Sequence, residues 1–164
     1  MTPDGASIHA SAVLVGDRAV VVRGPSGSGK SRLAFDLIMA GKAQQIPRAV
    51  LVGDDRVHIM RRANDLIVTP ASALTGLIEI RGIGVRRIEH AWEARVGLII
   101  DLAAGDAARM PDAAAMKVDL HGVVLPRVPI AAGHSALPLV IAALTTHDAG
   151  QHKIADADCT NAIR

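Results

Sequence analysis

Apolar and polar positions alternate along this chain in short blocks, and the blocks change period. SAVLVGDRAVVV (residues 11–22) is two apolar runs about a Gly-Asp-Arg turn and predicts two short strands. SRLAFDLIMAGK (31–42) changes to helical spacing, with Leu33, Leu37 and the pair Met39–Ala40 offered to a core and Gly41 at the helix end. RAVLVGDDRV (48–57) is a buried strand ending on two carboxylates, and HIMRRANDLIVTPA (58–71) reads as a hairpin about Ala63-Asn64-Asp65. GLIEIRGIGVRRI (76–88) alternates loosely around three glycines and predicts a strand fragment and a loop. ARVGLIIDLAA (94–104) is a further strand, and KVDLHGVVLPRVPIAAG (117–133) gives short strands broken at prolines. SALPLVIAALTTH (135–147) closes the pattern as a helix, with Ser135 as its cap and Pro138 in its first turn. The tail from residue 146 to 164 has weak periodicity and is expected to fray.

Strands and helices interleaved over 164 residues predict one α/β domain spanning 1–164, without internal repeats or low-complexity linkers. Phe35 and Trp92 are the only aromatic residues, so the core must be built from Ala, Val, Ile and Leu. A formal charge of +2 and the absence of an aromatic stacking platform argue against nucleic acid as partner. The N-terminal stretch has no basic n-region and is interrupted by Gly16-Asp17-Arg18, so it does not read as a signal peptide. No segment reaches the roughly 18 apolar residues of a membrane span. The single Cys159 has no internal disulfide partner, which fits a reducing cytoplasm.

One block carries chemistry. Gly24-Pro25-Ser26-Gly27-Ser28-Gly29-Lys30-Ser31 satisfies G-x-x-x-x-G-K-[ST], with a strand before it and a helix after it. The glycines leave backbone N–H groups free to point inward, and the helix N-terminus adds positive potential. Lys30 supplies charge at the β and γ phosphates, and the Ser31 hydroxyl suits Mg²⁺. A polyphosphate binds here. Transfer of a phosphoryl group further needs a metal-holding acid and a base for the acceptor. Two sources of carboxylate are open: Asp101 at the end of LIIDL, which read alone is a solvated strand end, and Asp54 with Asp55 at the end of VLVGDD. Adjacent carboxylates can divide the work, one toward the metal and one as base.

The phosphate loop, GDDRV and LIEIRGIGV together resemble the catalytic domain of the HPr kinase/phosphorylase family. EIRGIG is the discriminating piece, and the distance from His9 to the loop matches as well. The resemblance runs from about Ser7 to Leu144 and is weaker after Ala103. It implies a P-loop kinase domain related to phosphoenolpyruvate carboxykinase, a mixed sheet with flanking helices. It also implies phosphorylation of a serine on the carrier protein HPr by ATP and Mg²⁺, with pyrophosphate as an alternative donor. Inorganic phosphate would reverse the reaction to give pyrophosphate. Carried over residue by residue, His9 matches an active-site histidine, Lys30 and Ser31 the phosphate and Mg²⁺ residues, and Asp55 the acid–base group. Asp54 matches its neighbour on the metal side, Glu79 a further Mg²⁺ position, and Arg109 a catalytic arginine. VPIAAGHS resembles the segment tied to dephosphorylation, where other members carry more basic residues; His134 falls near an expected arginine, so phosphorolysis is expected to be the weaker direction. Only eight residues precede His9, which resembles a short form restricted to the catalytic domain. The resemblance further implies a cytoplasmic homo-oligomer, as a hexamer.

Two other readings use the same loop: a nucleotide-gated regulatory module, and a kinase of small metabolites. Asp54, Asp55 and His9 argue against the first, since binding alone needs no acid–base set. Nothing in the sequence marks a lid or a small-molecule pocket for the second. His58, His90, His121, His147 and His152 show no zinc spacing. Arg86 and Arg87 offer a basic contact for an acidic partner or simply a solvated face.

Overall fold

The structure, a computed structural model, describes residues 6–149. His152, Cys159 and most of the predicted tail lie outside the described residues. The strands and helices are β1 (Ser7–Ile8), β2 (Ala10–Val15), β3 (Arg18–Arg23), α1 (Lys30–Lys42), β4 (Ala49–Gly53), β5 (Val57–Arg62), β6 (Asp65–Pro70), β7 (Leu77–Ile80), β8 (Gly84–Arg87), β9 (Ala94–Leu102), β10 (Lys117–Leu120), β11 (Val123–Ile130) and α2 (Ala136–Thr145).

Nine strands form one mixed sheet in the order β1-β5-β6-β9-β3-β2-β4, with β11 branching from β9 and carrying β10. β3, β9 and β11 are mutually parallel where they pair, and the other pairs in this sheet are antiparallel. The C-terminal ends of the three parallel strands therefore point the same way, toward the phosphate loop that follows β3. β7 and β8 form a separate two-stranded hairpin.

Strand alternation divides the apolar residues between two cores. Val13, Val20, Val22, Leu51 and Ile100 face the helices and pack with Leu33 and Leu37 of α1 and Val140 of α2. Ala12, Val21, Val52 and Ile99 face the other way. There the sheet curls so that Val57, Ile59, Leu66 and Val68 of the β5–β6 hairpin close over them. Each fully buried Val, Leu or Ile contributes about 1.5–3 kcal/mol of transfer free energy, so a core without aromatics needs many of them.

The elements follow the sequence pattern closely, with four differences. Met39 is 44% exposed instead of core-facing, because the inner stripe of α1 is made by Leu33, Ala34, Leu37, Ile38 and Ala40. Gly41 lies within the helix. A side chain there would meet the Ala49 backbone N at 2.8 Å, so the glycine serves close packing on β4. The glycine-rich block at 76–88 makes the β7–β8 hairpin rather than a strand and a loop. β11 runs unbroken through Pro126 and Pro129, because each of its halves has a partner on one side only and a missing N–H is tolerated at such an edge. Ser135 does hold the N-cap position of α2, but its side chain makes no capping hydrogen bond.

Candidate active site

The phosphate loop is built by backbone conformation. Gly24, Gly27 and Gly29 have φ of 150°, 77° and 100°, in the region that favours glycine. At Gly24 a side chain would also stand 2.7 Å from Ser28 Oγ and 3.0 Å from Leu102 Cβ. Lys30 opens α1 and is buried, its ammonium donating to the carbonyls of Gly24 (2.9 Å) and Pro25 (2.8 Å). Burial pushes its pKa down, while the carboxylates of Asp55 and Asp54 act against that shift. The lysine is thus folded back onto the carbonyls of its own loop.

β4 delivers the two carboxylates in different environments. Asp54 is 3% exposed. Its Oδ1 accepts from Ser11 Oγ at 2.6 Å, and its Oδ2 accepts from the Glu79 backbone N–H at 3.1 Å. Ser31 Oγ stands 2.8 and 2.9 Å from the two oxygens and donates its proton to the pair. Asp55 follows in a three-residue turn closed by Arg56 N–H to Asp54 C=O at 2.8 Å, with φ of 65°. Such turns are rare and strained, and strain of this kind gathers at functional positions. The turn leaves the Asp55 side chain 64% exposed, with Oδ1 3.1 Å from His9 Nε2.

The donor set suits a small hard cation. Ser31 and Asp54 offer oxygen ligands side by side, and Mg²⁺ binds through one or two carboxylates, a hydroxyl and substrate phosphates. Among the described residues there is no cluster of three or more His, Cys, Asp or Glu that could hold a metal ion. Ser28 Oγ is buried with no hydrogen-bond partner among the described residues, as a group left for phosphate oxygen would be. Glu79 reaches the site through its backbone N–H; its side chain makes no hydrogen bond or ion pair among the described residues.

Beside the loop opens a cavity of about 410 Å³, walled by Gly27, Gly29, Arg32, Asp36, Ala131 and His134 among others. The VPIAAGHS segment is therefore part of the site's surroundings. Arg109 is exposed on the connection between β9 and β10 and makes no hydrogen bond or ion pair among the described residues.

Asp101 is not a solvated strand end. Arg23 grips it through two hydrogen bonds of 2.7 Å, and Arg127 adds a third. Arg127 also pairs with Asp106 at 2.7 and 3.0 Å and donates to the Ala115 carbonyl at 2.8 Å. Burial alone would raise the pKa of Asp101; the hydrogen bonds and charges of Arg23 and Arg127 overcome that and hold it below the usual carboxylate value. Two bound guanidiniums leave this carboxylate committed to joining β3, β9 and β11. Sequence reasoning missed Ser11, Arg23, Asp106 and Arg127. The available signal for Ser11 was a lone hydroxyl inside the apolar run ASAVLV.

Fold and site together define a phosphate-loop domain with two neighbouring carboxylates, one buried and one exposed, at the end of β4. Residues 3–159 match the family described as HPr Serine kinase C-terminal domain. The chain belongs to this family. It is 28% identical over 158 residues to an HPr kinase/phosphorylase of Streptococcus agalactiae, covering 88% of this chain and 49% of that protein. It is 36% identical over 77 residues to one of Mycoplasma mycoides, covering 47% of this chain and 22% of that one. The solved HPr(Ser) kinase/phosphatase from Coxiella burnetii superposes with a TM-score of 0.66 at 26% identity, covering 85% of this chain and 93% of that one. The chain spans about half or less of the length of these curated relatives. Among the described residues no helix is long and apolar enough to cross a membrane.

Proposed function

We propose that this domain transfers the γ-phosphoryl group of ATP to a serine hydroxyl of an HPr-type carrier protein. The observation that carries the reading is the division between two neighbouring carboxylates: Asp54 is buried against Ser31, and Asp55 is exposed against His9. A binding module has use for the first but not the second. The exposure of Asp55 also favours a macromolecular acceptor, since a small metabolite kinase encloses its acceptor away from water.

In this reading the phosphates lie along the N–H groups of Gly27 to Lys30, and the nucleoside extends into the adjoining cavity, whose volume suits one mononucleoside. Ser31 and Asp54 would hold Mg²⁺, which supplies charge neutralisation at the β and γ oxygens. Asp55 takes the proton of the seryl hydroxyl as its oxygen bonds to the γ phosphorus and the bond to the β–γ bridging oxygen breaks. His9 fixes the Asp55 carboxylate for that transfer. In reverse, an oxygen of inorganic phosphate bonds to the phosphorus of phosphoserine as its bond to the seryl oxygen breaks, Asp55 returns the proton to that oxygen, and the pyrophosphate formed is released.

The test is incubation with ATP labelled at the γ position and either HPr or a panel of hydroxylated metabolites. Label on an HPr serine supports the reading. Label on a metabolite alone, or nucleotide binding without transfer to anything, would replace it with one of the other two readings.

A further inference from the structure

We propose that Ser11 is a positioning residue that sets the orientation of the Asp54 carboxylate and, through it, of Ser31. The inference rests on the phosphate-loop reading above and adds to it a residue outside every motif. Ser11 lies on β2 with its side chain on the same face as Val13, which packs against α1. It is 0% exposed, in a strand whose other buried residues are Ala and Val. A buried hydroxyl without a partner is destabilising, so a small apolar residue would serve the core better unless the hydroxyl has a use.

Its use is visible in the geometry. The 2.6 Å bond from Ser11 Oγ to Asp54 Oδ1 is the shortest contact that carboxylate makes. The same oxygen faces Ser31 Oγ, so Ser11 and Ser31 converge on Oδ1 from β2 and α1 while the Glu79 N–H holds Oδ2 from β7. Three elements thus fix one side chain in a plane. Removing Ser11 leaves Oδ1 with Ser31 alone and frees the carboxylate to rotate about its χ2 torsion, which is intrinsically broad. A ligand set with a loosened carboxylate binds its cation more weakly, typically by about 10- to 100-fold when such a supporting partner is lost.

The experiment measures Mn²⁺ binding to the ADP-loaded protein by electron paramagnetic resonance, with ADP affinity in chelator and the thermal midpoint recorded alongside. Ser11→Ala is expected to weaken Mn²⁺ about tenfold or more, with metal-free ADP affinity unchanged, and Ser11→Thr to restore Mn²⁺ binding. The Mg²⁺ concentration giving half-maximal transfer should rise by the same factor. Wild-type Mn²⁺ affinity in folded Ser11→Ala would overturn the proposal. A folded Ser11→Thr as weak as Ser11→Ala would also overturn it, by assigning the loss to strand packing. If the wild-type protein itself binds neither ADP nor Mn²⁺, the phosphate-loop reading fails and this inference falls with it.

Discussion

His9 Nε2 lies 3.1 Å from Asp55 Oδ1, and the two residues come from separate places: a bend between β1 and β2, and the strained turn after β4. Among the described residues, His9 is the group within ion-pair distance of the exposed Asp55 carboxylate. If His9 orients Asp55 as base, His9→Ala should lower the transfer rate by about ten- to a hundredfold. That is less than loss of the base itself, which general acid–base catalysis values at about 10²–10⁴. Single-turnover rates and nucleotide affinity check it; the rate should fall and the affinity stay.

Lys30→Ala should reduce transfer by about 10²–10³-fold, the usual cost of one electrostatic contact to developing charge. The fold should survive, because Lys30 contributes hydrogen bonds to two loop carbonyls and no part of either apolar core. Kinetics on the purified variant, with circular dichroism as the control, decide it.

Asp101→Asn should act on stability. The change leaves Arg23 and Arg127 facing a neutral amide, at a cost of about 2 kcal/mol, less than for a fully enclosed pair because Arg23 keeps access to water. The folded pKa of Asp101 lies below its ordinary value of 3.8, so its contribution is complete above that value and is lost as pH falls through the lowered one. Urea midpoints of wild type and Asp101→Asn should therefore differ at pH 7 and converge on acidification below about pH 4. An equal difference at all pH values would contradict the assignment.

Much of this was legible in the sequence because it depends on local chemistry. The phosphate loop needs glycine at positions of positive φ and a helix immediately after, and both are written in consecutive residues. The Ala63-Asn64 hairpin and the Gly16-Asp17 turn are local in the same way. The roles of Asp101 and Ser11 were not legible, because they depend on partners 78 and 43 positions away along the chain. A strand-end Asp reads the same whether it meets solvent, metal or two arginines; only the parallel pairing of β3, β9 and β11 decides. Likewise Met39 and Leu37 are equally apolar, and the position of the sheet against α1 separates them.

The reverse reaction should consume phosphate. Phosphoserine-HPr incubated with inorganic phosphate should yield pyrophosphate, more slowly than the forward reaction runs, since His134 stands near a position where an arginine is expected. Serine-bound phosphate released without added phosphate, and without pyrophosphate, would indicate hydrolysis by water and contradict phosphorolysis.

The most direct measurement is single-turnover transfer of labelled γ-phosphate to HPr by wild type, Asp55→Asn and Asp101→Asn, with ATP affinity determined for each under the same conditions. The account predicts label on serine with wild type, loss of at least about 10²-fold in Asp55→Asn at nearly unchanged ATP affinity, and substantial transfer by folded Asp101→Asn. A folded Asp101→Asn that is inactive, beside an Asp55→Asn that still phosphorylates HPr, would contradict it.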